Sequence, residues 1–282
     1  MAVGRTVALF SDTGLGKTTQ AGELAKDKFK RERKRTLYHG ADYGGHESIQ
    51  PLIDIGVIDA DDIGQTDDPW IWLNDAAKGK GLSPEQHGLV VFDSGTSIGE
   101  AILNKITKSS EQVGQQKTQR FKVASGDTQL QIGINNEAHY GLVQTFMLDK
   151  IWESTWLTRL GVDVLWTFGI HRGESVEAEP IIGPKLVGKA LTPQIPKWFN
   201  YTFRLDMVPP APGSGADPEH ILILKPQVGV SGALSFGNAR YPLAASDSLP
   251  AVIKPASIVE AFNLIEKGRQ SAADNLRAEL GL

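Results

Sequence analysis

Ser11-Asp12-Thr13-Gly14-Leu15-Gly16-Lys17-Thr18-Thr19 follows an apolar run, Thr6 to Phe10, and precedes a helix-like segment, Gln20 to Lys30. Strand, glycine-rich loop, lysine, hydroxyl and helix, in that order, make a phosphate-binding P-loop. Gly14 and Gly16 let the backbone curl so that its N–H groups point into a concavity. The helix start adds the positive end of its dipole. Lys17 can reach the β- and γ-phosphates of a nucleotide, and the Thr18 hydroxyl can ligate Mg²⁺. The candidate nucleotide-binding set is therefore Asp12, Thr13, Gly14, Leu15, Gly16, Lys17, Thr18 and Thr19. Ser11 stands where the first glycine of G-x-x-x-x-G-K-[ST] is usual, and it is small enough to serve.

Working outward, each later apolar run also ends in a polar residue. Thr36 to His39 reads as a short strand leading to Gly40-Ala41-Asp42. Carboxylates at such strand ends face the ligand crevice of open α/β sheets. Leu89 to Phe92 is a continuous apolar run closed by Asp93-Ser94, as in a buried parallel strand. Its terminal carboxylate stands where a Walker B aspartate supports Mg²⁺. Val162 to Ile170 is a further apolar strand, closed by His171-Arg172; His171 reads equally as a structural histidine. Helices are expected over Glu47 to Ile53, Pro69 to Ala77, His139 to Arg159 and Ser257 to Leu282. Trp70 and Trp72 read as core anchors. Phe199 to Met207 and His220 to Leu224 are expected to form a hairpin with a long Pro/Gly-rich tip.

Two segments are strongly polar. Lys26 to Arg35 holds seven basic residues in ten. It reads as a solvated helix end whose cations complement the dipole, with a nucleic-acid patch as the alternative. Ile106 to Asn136 is rich in Gln, Lys, Ser and Gly and reads as a long irregular loop. Within it, Lys117, Arg120 and Lys122 interleave with Phe121, a pattern that suits single-stranded nucleic acid.

At 282 residues, with 40% apolar and 22% charged residues, the chain has the composition of a soluble globular protein. No apolar run reaches the length of a membrane span. Met1 to Arg5 runs directly into the first strand, so no signal peptide is expected. The chain has no cysteine, which excludes disulfides and thiolate metal sites and suits a reducing cytosol. A formal charge of −4 gives no global attraction to nucleic acid, so any such binding needs a local basic patch.

The order of these segments resembles the RecA-type ATPase core. Thr36 to Asp42 resembles the family strand that ends in the catalytic carboxylate, and Val90 to Ser94 its Walker B strand. Leu165 to His171 resembles the strand whose last residue senses the γ-phosphate. Gly188 to Leu191, followed by Lys197 to Asp206, resembles the segment carrying trans-acting lysines and the strand after it. Gly183 to Ala190 with Ile195 to Phe199 looks more narrowly like phage-type RecA-like ATPases, including the Sak group of single-strand annealing proteins. The likeness spans residues 4 to 226. Asp42 replaces the usual Glu, His171 replaces the usual Gln, and no helix precedes the first strand.

The resemblance implies an α/β fold: a RecA-like core with a mainly parallel central sheet, a β-hairpin extension and a C-terminal helix. It implies a core over 1–245 and a helical extension over 246–282. ATP and Mg²⁺ are the implied ligands, with Thr18 and Asp93 on the metal. Lys17 and Asp42 are the implied catalytic residues, and His171 the implied sensor. Lys185 or Lys189, with Lys197 as a further candidate, is implied to complete a neighbouring subunit's site in a ring or filament. Single-stranded DNA is the implied substrate, with a single-strand-binding protein as a further partner and the cytosol, a host's if phage-encoded, as the location. A small-molecule kinase and a nucleotide-gated assembly protein with little turnover are the rival readings.

Overall fold

The computed structural model describes the chain apart from residues 1–2, 43, 110–111, 114–115, 118, 126–127, 135, 175–179, 189–193, 211–212, 229–233, 236–237, 240–248 and 281–282. At 65, 109, 112–113, 116–117, 119–125, 128–134, 174, 180–181, 227–228, 234–235 and 238–239 the backbone alone is described. The strands are β1 (Thr6–Phe10), β2 (Arg35–Gly40), β3 (Ile58–Asp62), β4 (His87–Asp93), β5 (Gln112–Val113), β6 (Gln116–Lys117), β7 (Gln119–Ser125), β8 (Thr128–Ile134), β9 (Asp163–Glu174), β10 (Pro180–Lys185), β11 (Tyr201–Val208), β12 (Glu219–Ile223), β13 (Gln227–Val228), β14 (Leu234–Ser235), β15 (Asn238–Ala239) and β16 (Val252–Ile253). The helices are α1 (Lys17–Glu32), α2 (Gln50–Asp54), α3 (Pro69–Ala77), α4 (Gly95–Ser109), α5 (Glu137–Ser154) and α6 (Ile258–Leu280).

β1 is buried along its whole length and runs between β9 and β11. β3, β2, β4, β9, β1 and β11 lie side by side and parallel. Antiparallel β12 continues the sheet to β16, and the β11–β12 pair is the expected hairpin extension. The fold is α/β with a mainly parallel central sheet and a C-terminal helix. Alternation along the strands sends successive side chains to opposite faces. Val7 and Leu9 pack with Leu24 of α1 and with Phe262 and Ile265 of α6. Ala8 and Phe10 pack with Ile98 and Ile102 of α4 and Met147 of α5. Both faces of the sheet are thus covered, which is why its central strands read as unbroken apolar runs.

Local signals explain several boundaries. Asp68 caps α3, accepting from the backbone N–H of Trp70 and Ile71 at 3.1 and 3.2 Å, and Pro69 supplies a preset first turn. Trp70 packs edge-on against Phe146, and Trp72 donates its indole N–H to Asp61 at 2.8 Å, both against the core. At the N-terminal end of the central strands, Asp163 is buried between Arg5 and Lys28, each at 2.9 Å. Burial alone would push the Asp163 carboxyl up; Arg5 and Lys28 overcome this and hold it below its ordinary range. Arg5 also bridges to Glu266 of α6 at 2.9 Å, which ties the residue before β1 to α6.

Two expectations are corrected. Ile106 to Asn136 is not an irregular loop: α4 runs through Ser109, and β7 and β8, each of seven residues, pair as an antiparallel hairpin. The register sets Phe121 opposite Ile132 and Lys122 opposite Gln131. Adjacent strand positions alternate faces, so position 121 lies on one face of the ribbon and positions 120 and 122 on the other. β9 does not stop at Ile170 but continues through His171 and Arg172 to Glu174, pairing antiparallel with β10. β3, with Asp59, Asp61 and Asp62, has no counterpart in the sequence reading. It pairs with β2 alone among the described strands, and charged residues suit such an edge.

Candidate nucleotide site

Parallel strands end on a common edge, and that edge carries the candidate residues. The loop after β1, Asp42 after β2, Asp93 at the end of β4 and Gly169 of β9 meet there. They enclose a cleft of about 450 Å³, lined among others by Asp12, Thr13, Lys17, Asp42, Ser94 and Lys185.

The loop has the curled backbone that its glycines permit. Gly14 and Gly16 have φ of 82° and 90°, in the left-handed region. A Cβ built at Gly14 would meet nothing within 4 Å, so its left-handed φ, not crowding, is what calls for glycine there. Lys17 is buried, and its ammonium donates to Ser11 O, Ser11 Oγ and Asp12 O at 3.4, 3.2 and 3.1 Å. Ser11, in place of the usual glycine, thus adds an oxygen that holds the lysine against its loop. Burial pushes the Lys17 pKa down, against the raising pull of Asp93, Asp42 and Asp12.

Asp93 is fully buried and accepts from three hydroxyls. Thr18 donates to Oδ2 at 2.6 Å, Tyr38 to Oδ2 at 2.5 Å, and Thr167 to Oδ1. Sheet register explains this convergence. Gly40 pairs with Asp93, which sets Tyr38 two residues back on the same face, and Val91 pairs with Leu165, two residues before Thr167. Burial, with Asp93 beside it, pushes the Tyr38 phenol well up, so it remains a donor. A threonine hydroxyl beside a buried carboxylate is an all-oxygen donor set, which suits Mg²⁺ with its retained waters.

Asp42 stands at the N-terminal end of α4, where an anion is favoured by the helix dipole. Its Oδ1 accepts from Ser94 Oγ at 3.1 Å and from Ser97 Oγ. Thr96 accepts from Gly169 N at 2.9 Å and donates to Lys185 O at 2.6 Å, tying β9 and β10 to the same helix start. Asp12 makes a two-pronged ion pair with Arg172 of β9. These hydrogen bonds hold the Asp12 carboxyl below its usual range, against burial.

The structure therefore brings together Asp12, Thr13, Lys17, Thr18, Asp42, Asp93 and Lys185. Gly14, Leu15, Gly16 and Thr19 complete the loop and its helix start, and His220 of β12 contacts Leu15 O through Nδ1 at 3.2 Å. Of β9, Gly169 and Ile170 line the cleft, while His171 lies beyond them in register with Gly183. Lys185 sits on the rim of its own chain's cleft, 3.4 Å from Glu100, rather than facing away from it. Lys197 lies before β11, at the opposite end of the sheet from the P-loop, beside Trp198. Lys189 lies outside the described residues, and at Lys117, Arg120, Phe121 and Lys122 only the backbone is described. Sequence reasoning missed Tyr38, Thr167, Ser97 and Arg172. The only signal was a polar residue interrupting or following an apolar strand.

No family model matches the chain, and no curated protein matches it. Among solved structures, a KaiC-like protein of Pyrococcus horikoshii aligns at 12% identity with a TM-score of 0.41, covering 82% of this chain and 89% of that one. The flagellar accessory protein FlaH of Methanocaldococcus jannaschii aligns at 12% identity with a TM-score of 0.43, covering 79% of this chain and 78% of that one. Both are partial likenesses. Among the described residues, no helix is long and apolar enough to cross a membrane.

Proposed function

We propose that this chain is a RecA-like ATPase that binds ATP with Mg²⁺, hydrolyses it, and acts on single-stranded DNA in phage-type recombination or annealing. One observation carries the nucleotide part: P-loop residues, Asp42 and Ser94 line a single cleft at the strand ends, and the buried Asp93, next to Ser94, is hydrogen-bonded to Thr18 of the loop. Phosphoryl transfer needs positioning and charge neutralisation more than covalent chemistry, and each group has a place in that scheme. Lys17 exchanges its loop carbonyls for β- and γ-phosphate oxygens. Thr18, with Asp93 behind it, would hold Mg²⁺, which would supply charge neutralisation at the phosphates. Ser94 and Ser97 fix Asp42 through Oδ1, which leaves Oδ2 to orient the attacking water and take its proton. In a homo-oligomer, Lys185, Lys189 or Lys197 of a neighbouring subunit would complete the site.

The DNA part rests on the sequence resemblance and on basic positions of β6 and of the β7–β8 ribbon. Lys117, Arg120 and Lys122 would contact phosphates, and Phe121 would serve from the opposite face of the ribbon. A second reading, a nucleotide-gated assembly protein with little turnover, has one observation behind it. Two hydroxyls already engage Asp42, whose side chain is one methylene shorter than Glu, and both features blunt a base.

The test is ATP turnover across a protein concentration series, with and without single-stranded DNA. Lys17→Ala should fall to background. Asp42→Asn should bind ATP like wild type and lose about 10²–10⁴-fold in turnover, the usual contribution of a positioned base. Wild-type turnover in Asp42→Asn would remove that assignment. Turnover indifferent to DNA at every concentration would remove the recombination role and leave the ATPase.

A further inference from the structure

The family resemblance puts phosphate sensing at position 171, but the geometry at the loop points one residue further. Arg172 Nη1 donates to Asp12 Oδ1 at 2.7 Å, and Nη2 donates to Asp12 Oδ2. The backbone carbonyl of the same aspartate accepts from Lys17 Nζ at 3.1 Å. Two cations, one on the P-loop and one on β9, therefore share a single loop residue, and that residue lines the cleft. A guanidinium fork fits a carboxylate and a phosphate with the same two parallel hydrogen bonds.

The pair is also built to exchange. The side chains of Arg172 and Asp12 are 52% and 45% exposed, and an ion pair so open to water is held weakly. Arg172 hangs on β9, whose Thr167, five residues earlier, is bonded to Asp93. One strand thus touches the metal-side carboxylate at one point and the loop's mouth at another. Beyond the sheet it pairs with β10, which carries Lys185. On the far side of Asp12, Arg204 and Asp206 of β11 form a further ion pair, so charge alternates across the ends of β9, β1 and β11.

We infer that Arg172 is the residue by which the chain tells ATP from ADP: the terminal phosphate competes with the Asp12 carboxylate for its guanidinium fork. Lys17 reaches the β- and γ-phosphates alike and cannot discriminate alone. A fork held on the carboxylate of Asp12, a loop residue that lines the cleft, would add contacts to a third phosphate that Lys17 does not make. Asp12 is then a holding partner that keeps the fork at the mouth and sets the threshold for its transfer. The inference rests on the reading of this cleft as a nucleotide site.

The experiment is calorimetric titration with Mg²⁺-ADP and with a Mg²⁺-bound non-hydrolysable ATP analogue, on wild type, Arg172→Ala, Arg172→Lys and Asp12→Asn. Arg172→Ala should lose tenfold or more in analogue affinity while ADP affinity stays within twofold. Arg172→Lys keeps the charge without the fork and should lose an intermediate amount. Asp12→Asn weakens the competing acceptor and should bind the analogue as tightly as wild type or more tightly. Equal losses for both nucleotides in Arg172→Ala, or no loss for either, overturn the inference while leaving the nucleotide site intact. Failure of wild type to bind either nucleotide overturns the site and the inference together. Should Arg172→Ala not fold by thermal unfolding, the Arg172→Lys discrimination decides in its place, and an unchanged ATP-to-ADP ratio there refutes the inference.

Discussion

Replacing Tyr38 by Phe isolates one hydrogen bond at the buried Asp93. The ring stays, with its edge-on contact to His46, and only the hydroxyl that donates to Asp93 Oδ2 at 2.5 Å is lost. Donor and acceptor are 1% and 0% exposed, so bulk water does not reach the bond. Hydrogen bonds to charged groups contribute about 1.5–3 kcal/mol net. Oδ2 keeps Thr18, and Oδ1 keeps Thr167, so the carboxylate is not orphaned. The expected cost is therefore about 2 kcal/mol, toward the lower half of that range. For a chain of this size, that is on the order of 4 °C in Tm. Urea unfolding at pH 7 should show a lower midpoint with an unchanged slope. Thr18→Val removes the other donor to the same oxygen, so the double variant should lose more than the sum of the singles. A loss below about 0.5 kcal/mol for Tyr38→Phe, within the scatter of ordinary surface changes, would refute the account of Asp93 as a carboxylate held by its hydroxyls.

Two further outcomes follow from packing and charge away from the cleft. A Cβ at Gly95 would meet Phe168 Cε1 at 2.5 Å and Trp166 Cε3 at 3.1 Å. Gly95→Ala should therefore destabilise by about 1–3 kcal/mol in urea unfolding, as overpacking does, despite the better helix former. Asp163 has its folded pKa held below the unfolded value of 3.8 by Arg5 and Lys28 against burial, so it binds its proton more readily when unfolded. Its contribution is complete above that unfolded pKa and is lost as pH falls through the folded one. Asp163→Asn should accordingly be less stable than wild type at pH 7, with a gap that closes as pH falls below about 4. A gap constant with pH would mean that packing, not charge, sets the difference.

How much of this was legible in the chain depended on whether a residue's role is local. The glycine-rich loop between a strand and a helix, the strand ends before Asp42 and at Asp93, and α3 are written in neighbouring residues, and the structure has those elements there. Tyr38 and Thr167 become ligands of Asp93 only through cross-strand register, which links residues 55 and 74 apart. No local pattern announces that. The β7–β8 ribbon was hidden for a different reason. Its alternate positions are Gln, Lys and Arg, and polarity masked a period of two. β9 was cut short because its apolar run ends at Ile170, whereas the backbone pairing that extends it depends on β10. That Arg172 meets Asp12 is again a matter of what lies beside the strand.

The central place of β1 has a consequence for how the chain is made. Its two neighbours are encoded far downstream: Asp163, which begins β9, contacts Arg5 across 158 residues, and Asn200, just before β11, contacts Thr6 across 194. At about 5–20 residues per second, roughly 10–40 s of translation separate β1 from the arrival of its second partner. During that interval the strand that leads into the phosphate loop has an open edge. The segment whose sequence announces the site first is among the last to be enclosed on the ribosome.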